Sequence, residues 1–323
     1  MRLGFAVKVL GAGGLPSHDT RRWRSGPHLR VSLGHLGAIL AYLDEQDIRM
    51  YRMTASLAPY ATHPDHERFH GQVAECEGEL AALGARARGL GVRLSTHPGQ
   101  YVVLNSERDD VVAAAVRDLD LQAEILDAMG LGPEAVIVLH VGGAAGGLAA
   151  GADRFEAGFA RLGSAARDRL VIENDDRTYP LAAVLALAGR IGRPVVWDIL
   201  HHHCNDPDGI PDREALELAL ATWPDGVRPK MHFSSPRTNV EQRTRKVGRR
   251  VERSLAFPQL RAHADLVDPI AFEAFLTRTA AGLDVDVMLE AKAKDLALLR
   301  LRDQLAARGV APGRPPPGVP GRL

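Results

Sequence analysis

Cysteine is nearly absent from this chain: Cys76 and Cys204 are the only two among 323 residues. Two thiols cannot frame a disulfide-stapled fold, and their scarcity suits a reducing compartment. No uninterrupted apolar run reaches the roughly 18 residues a membrane-spanning helix needs. The opening MRLGFAVKVLGAGG has one early arginine but not the long apolar core of a secretory leader. A charge excess is missing too. Forty Lys+Arg balance forty Asp+Glu, so any grip on a polyanion must come from local patches rather than from the field of the whole molecule. There is no GxxxxGK[ST] phosphate loop, no GxGxxG turn after the first apolar run, and no signal of a Ser-His-Asp or Cys-His arrangement, which disfavours P-loop, dinucleotide-binding and covalent-nucleophile chemistry. These absences predict a cytoplasmic protein without a membrane partner, and nothing signals an obligate protein partner.

What is present is a regular alternation. Apolar residues make up 46% and charged residues 25%, an ordinary globular composition. Short β-rich runs occupy 2–7, 48–53, 92–97, 135–140, 169–174, 194–199, 228–233 and 284–291. Between them lie Ala/Leu/Arg/Glu stretches such as HLGAILAYLDEQ and DVVAAAVRDLDLQAEILDAMG, with helical apolar spacing. Eight such alternations predict an α/β fold, a closed (β/α)8 TIM barrel in a single domain over 1–308, in preference to an open doubly wound sheet. Three segments fall outside the repeat: a Gly/Pro/Arg loop at 11–30, a polar insertion at 234–262, and a Pro/Gly-rich end at 309–323 expected to be disordered.

In such a barrel the carboxyl ends of the strands face the active site. Those ends carry His97, His140, Glu173, Asp198 with His201 a turn later, His232, and Glu290. All are metal-ligand types, with imidazole and carboxylate but no thiolate, which favours zinc, manganese or iron. Seven donors exceed what one ion needs, so a cluster of two or three divalent ions is expected, with Glu173 as the first choice of bridge and Glu290, across the barrel, as the second. The run WDILHHHC places DxxH where Asp198 and His201 approach one ion, and leaves His202 and His203 as outer donors or solvated side chains. Lys230 stands two residues before His232, so both side chains face the interior, where an ammonium beside divalent cations would be repelled. It points at a substrate phosphate, is chemically altered, or is an ordinary lysine at the rim. Two basic stretches follow strands: RRWR at 21–24, with Trp23 among arginines, and RTNVEQRTRKVGRRVERS at 237–254, including Arg243, Arg245 and Arg249. Both are read as phosphate-contacting.

The motifs STHPGQYVVLN, VLHVGG, IENDD, WDILHHH, PKMHFSS, AHAD and MLEAKAKD, in this order, resemble the UV-damage endonuclease family, barrel relatives of the endonuclease IV apurinic-site nucleases. The resemblance runs from about residue 2 to 300. It implies an endodeoxyribonuclease of DNA repair that nicks damaged double-stranded DNA 5′ to UV photoproducts, with abasic sites a further substrate, by metal-activated water. It implies two or three divalent ions, usually Mn2+, with Zn2+ or Co2+ also compatible. The matching metal positions are the seven above plus His263 of AHAD. The resemblance further implies carboxylation of Lys230, a histidine near the scissile phosphate at His63, and lesion probing by Gln100 and Tyr101. One departure stands near strand one, where the family pattern has a tyrosine and then an asparagine. Here Phe5 and Val9 occupy those places, so Phe5 is the lesion-stacking candidate and two polar groups are missing. The rival readings are a xylose-isomerase-type sugar isomerase or epimerase on the same barrel, and a protein that binds lesions without cutting.

Overall fold

The computed structural model describes residues 1–248 and 250–310. Eight parallel strands form its centre: β1 (Leu3–Ala6), β2 (Met50–Arg52), β3 (Arg93–Ser95), β4 (Ile137–His140), β5 (Leu170–Glu173), β6 (Val195–Val196), β7 (Lys230–Phe233) and, after a two-stranded excursion, β10 (Asp286–Leu289). Five of them pair in the order β3-β2-β1-β10-β7 and three as β4-β5-β6. Single parallel bridges, Thr96 to Ile137 and Asp198 to His232, join the two groups at both seams. The ring closes, and the fold is a (β/α)8 TIM barrel. Helices follow the strands, the longest being Leu29–Glu45 and Asp109–Ala128. No helix among the described residues is long and apolar enough to cross a membrane.

The period of two along each strand sorts the side chains. On β4, Ile137 and Leu139 join the core under the helices, while Val138 faces inward with His140. On β5, Leu170 and Ile172 face the helices, so Val171 and Glu173 share the interior face. The helices answer with apolar stripes: Leu29, Leu33, Leu36, Leu40 and Leu43 of the first helix are buried at helical spacing.

One close approach depends on glycine. A Cβ on Gly84, in the helix Glu77–Gly89, would lie 1.7 Å from the Met129 carbonyl oxygen that ends the neighbouring helix. Backbone cannot yield as a side-chain tip does. Gly84→Ala is therefore expected to lose about 2 kcal/mol of stability by overpacking, despite alanine's better helix propensity, read as a lower urea midpoint.

The floor of the barrel is sealed electrostatically. Arg93 Nη1 meets Asp286 Oδ2 at 3.0 Å with both side chains fully buried, and the Arg2 backbone N–H donates to Asp286 Oδ1 at 2.7 Å. Arg93 also donates to the carbonyls of Glu134 and Arg228, at 3.0 and 2.8 Å.

The polar insertion proves to be partly regular. Residues Glu241–Val247 (β8) and Arg250–Ala256 (β9) form an antiparallel hairpin rather than a continuous loop. Of the Pro/Gly-rich end, Gly309 and Val310 close the last helix through hydrogen bonds to Ala306 and Leu305. Residues 311–323, expected to be disordered, lie outside the described residues.

Candidate metal centre

Glu173 is the hub of the barrel mouth. Its carboxylate, fully buried at the end of β5, lies 3.1 Å from His97 Nε2, 3.7 Å from His140 Nε2, 3.5 Å from His201 Nδ1 and 2.9 Å from His232 Nδ1. Glu290 stands next to it: Oε1 is 3.4 Å from His232 Nδ1, and Oε2 is 3.6 Å from His263 Nδ1. Asp198 Oδ1 lies 3.9 Å from His201 Nδ1. The eight residues from β3–β7, β10 and the loops after them thus meet in one place. Three subsets have ligand atoms within 4.8 Å of one another: His97, His232 and Glu290; His97, His140 and Glu173; and Glu173, Asp198 and His201.

Each is brought there by local structure. Asp198 caps the helix Ile199–Cys204, accepting the His201 N–H at 2.8 Å, which fixes its carboxylate toward the mouth and sets His201 one turn on. Asn174 clamps the same point from β5, accepting the Asp198 N–H at 2.8 Å and donating to the Asp198 carbonyl at 3.0 Å. His263 is placed by an antiparallel bridge to Pro236. The remaining histidines of the triplet turn away: His202 Nε2 meets the Ile210 carbonyl at 2.8 Å, and His203 Nε2 meets Asp212 at 2.8 Å.

The donor set fits divalent cations. His140 Nδ1, His232 Nε2 and Asp198 Oδ2 are buried without a hydrogen-bond partner, a costly state for groups that would otherwise be paired. Burial pushes the His97 and His140 imidazoles down, which leaves nitrogen lone pairs available for coordination. Burial alone would push the Glu173 carboxyl up. The imidazoles of His232 and His140, with hydrogen bonds from His201 and His232, outweigh it and hold Glu173 well below the usual carboxylate range. Burial lowers His201, but Asp198 and Glu173 overcome it and raise this imidazole to about 11. Asp198 and Glu173 thus concentrate negative charge where a cation would satisfy it.

Lys230 occupies the layer beneath. It is fully buried, and its Nζ donates to Ser95 Oγ at 3.1 Å. Burial first, then the guanidiniums of Arg93 and Arg52, push its pKa well below the usual lysine value. Arg52 is a functional neighbour that the pattern of strand-end donors does not reveal. At the end of β2 it pairs with Glu290 Oε1; together with His232 it holds that carboxyl well below the usual range, against burial. A signal exists in the register, since Arg52 aligns with Ala6 and Ser95, but an arginine does not stand out among candidate metal donors.

The other sequence candidates are dispersed. Tyr101 is 84% exposed, beside exposed Gln100, on the loop after His97. His63 stacks on His66 with ring centroids 4.3 Å apart, and His66 stacks on Trp23 at 4.8 Å. Arg24 lies over the Trp23 ring at 5.0 Å, whereas Arg21 is committed to Asp19. Phe5 is fully buried, edge-on to Tyr51 at 5.4 Å. It packs the barrel wall, and no face of its ring is free for a nucleotide. Val9, at the second departure, is buried as well. Arg243 and Arg245 are exposed on the hairpin, Arg245 opposite Glu252 in the register. Arg249 lies outside the described residues.

A (β/α)8 barrel that gathers imidazoles and carboxylates with unsatisfied donor atoms at its C-terminal mouth fits a divalent-metal enzyme. The family model for "UV-endonuclease UvdE" matches residues 31–312, and the chain belongs to this family. The UV DNA damage endonuclease of Bacillus velezensis is 34% identical over 272 residues, covering 83% of this chain and 79% of its own length. That of Bacillus cereus strain G9842 is 32% identical over 285 residues, covering 87% and 83%. The crystal structure of SacUVDE superposes with a TM-score of 0.80 at 29% identity, covering 96% of this chain and all of the other. The protein is an endonuclease of DNA damage repair. D-psicose 3-epimerase from Clostridium cellulolyticum H10, solved with D-tagatose, shares the fold alone, with a TM-score of 0.52 at 11% identity. The isomerase reading therefore has only the barrel behind it.

Proposed function

We propose that this endonuclease hydrolyses the phosphodiester 5′ to UV photoproducts, and to abasic sites, in double-stranded DNA, using two or three divalent ions of which manganese is the first choice. The observation that carries the reading is Glu173, which faces four imidazoles while the buried donors of His140, His232 and Asp198 stand unpartnered. His97, His140, Glu173, Asp198, His201, His232, His263 and Glu290 would hold the ions; Zn2+ and Co2+ suit the same nitrogen and oxygen donors. Bound divalent cations supply charge neutralisation at a phosphate and a water acidic enough to react near neutral pH. Glu173 and Glu290, both held anionic, would fix the spacing of the centre, and Asn174 keeps Asp198 from rotating away.

Lys230 is read as carboxylated. Its amine is buried and pushed toward the neutral, nucleophilic form. Addition of Nζ to carbon dioxide, with release of a proton, converts it to a carbamate anion, which the neighbouring Arg93 and Arg52 would stabilise. His63, on the aromatic stack after β2, is read as a contact near the scissile phosphate. Gln100 and Tyr101 are read as the lesion probe, since an exposed ring and amide can fill the gap left by unstacked nucleotides. Tyr101→Ala is expected to reduce the preference for irradiated over intact DNA about tenfold or more, the worth of one base stacked on an aromatic side chain. Competition nicking measures it, and unchanged preference would remove Tyr101 from the role.

The reading as a whole is tested by conversion of ultraviolet-irradiated supercoiled plasmid to nicked circle with Mn2+, before and after chelation, with ends mapped on a defined photoproduct. Nicks on the 5′ side, abolished by chelator and restored by Mn2+, are expected. Metal-independent nicking, or 3′ nicks, would overturn it.

A further inference from the structure

The β8–β9 hairpin is an exposed two-stranded ribbon, and an isolated hairpin is marginal in water without a partner. Its register separates two unlike faces. Gln242, Thr244 and Lys246 pair with Leu255, Arg253 and Val251, so these six side chains share one side. That side carries two cations, no acid, and two apolar side chains left in solvent, Val251 at 55% and Leu255 at 66% exposure. The opposite side carries three guanidiniums, Arg243, Arg245 and Arg250, and two carboxylates: Arg245 stands opposite Glu252 in the register, and Glu241, which pairs with Arg237, also has a carboxylate oxygen 4.0 Å from the Arg243 guanidinium. The two carboxylates leave a net charge of +1 there, against +2 on the acid-free side.

The feet of the ribbon belong to the catalytic mouth. β7 brings His232 into the centre and leads into one foot; the other foot ends at His263. The feet are zipped by the Pro236 to His263 bridge, by Arg237 N–H to the Ala262 carbonyl at 2.7 Å, and by Ala264 N–H to the Ser235 carbonyl at 2.9 Å. A strand of this length spans about 23 Å, the rise of six or seven base pairs at about 3.4 Å each. The major groove of B-DNA is wide enough to admit a two-stranded ribbon.

We propose that the ribbon is a duplex-holding arm, that it grips DNA flanking the lesion, and that the side facing the DNA is the acid-free one: Lys246 and Arg253 on phosphates, Val251 and Leu255 against the groove wall. This rests on the endonuclease reading, since duplex DNA is the partner. The side is chosen by charge: two of the three guanidiniums opposite face carboxylates, and carboxylates on phosphate repel. It departs from composition alone, which would nominate Arg243 and Arg245.

The test compares Lys246→Ser/Arg253→Ser with Arg243→Ser/Arg245→Ser in the full-length holoenzyme. Anisotropy on an undamaged 30-base-pair duplex, which is not cut, reports binding from about 50 to 200 mM salt. The first variant should bind roughly tenfold or more weakly, and its log Kd against log salt slope should fall by about 2, near 0.9 for each phosphate no longer neutralised. The second should weaken by no more than about threefold, with a smaller slope change. Calorimetric Mn2+ uptake should match wild type in both, showing the mouth intact. Equal weakening in the two variants, or a larger effect in the second, would overturn the choice of side. Wild-type binding by the first, or a concentration-dependent dimer that it abolishes, would overturn the arm. A wild type that binds with this pattern yet never nicks irradiated plasmid leaves the arm standing and removes the nuclease reading.

Discussion

Glu173→Gln should lower nicking of irradiated DNA by roughly 10³-fold or more, because the charge stabilisation of a metal-assisted hydrolysis is worth several kcal/mol and each 1.36 kcal/mol is tenfold. Glutamine keeps the shape at the end of β5 but removes the anion that four imidazoles face. Cation uptake should fall in parallel, by about 10-fold to 100-fold at least, the range seen when even the groups supporting a ligand are removed. The fold should survive, since the side chain is replaced by an isostere whose amide can still pair with His232 or His97. Calorimetric Mn2+ titration and thermal melting of the same preparation separate these effects. Near wild-type nicking by a variant with normal melting would take Glu173 out of the centre.

At the other end of the barrel, Asp286→Ala is expected to cost about 3–5 kcal/mol of stability, the range for breaking a buried pair and leaving one charge uncompensated. Arg93, fully buried, would be left without its carboxylate, and the Arg2 N–H without its acceptor. For a domain of this size, that corresponds to a melting point lower by about 10 °C. Because Asp286 lies two strand layers below Glu290 on β10, the folded fraction should take up Mn2+ like wild type. Arg93→Met combined with Asp286→Leu should recover part of the stability, since an apolar pair carries no stranded charge. A melting point within about 2 °C of wild type for the single variant would show that the pair contributes little beyond its desolvation cost.

These two substitutions act at opposite ends of the barrel, one on β5 and one on β10, and the ends differ in how far sequence reveals them. The seven donors at the strand ends are legible because strand periodicity is local: once Val171 is assigned to the interior, Glu173 must share that face. The DxxH spacing is legible for the same reason, one strand end and one helical turn. His263 is not, because it owes its place to a bridge with Pro236, a contact between segments no periodicity connects. Arg52 escapes notice because it meets Glu290 over the intervening β1, a neighbour that strand order in the closed sheet supplies. Phe5 reads as a stacking surface, yet its neighbours in sequence do not reveal that Tyr51, on another strand, covers it. The hairpin is hidden by its polar alternation, whose two charge-distinct faces follow from the pairing of β8 with β9 and not from composition.

By itself, then, the order of residues settled the alternation of strands and helices, the identity of the donor types at the strand ends, and the family motifs, because each depends on separations of a few residues. Pairing of β8 with β9 set the two sides of the ribbon; the convergence on Glu173, the sealing of Arg93 by Asp286 and the partner of Lys230 were decided only when the barrel closed. Those contacts join residues tens to hundreds of positions apart, and their energies depend on burial and on distances of a few ångströms that ring closure sets.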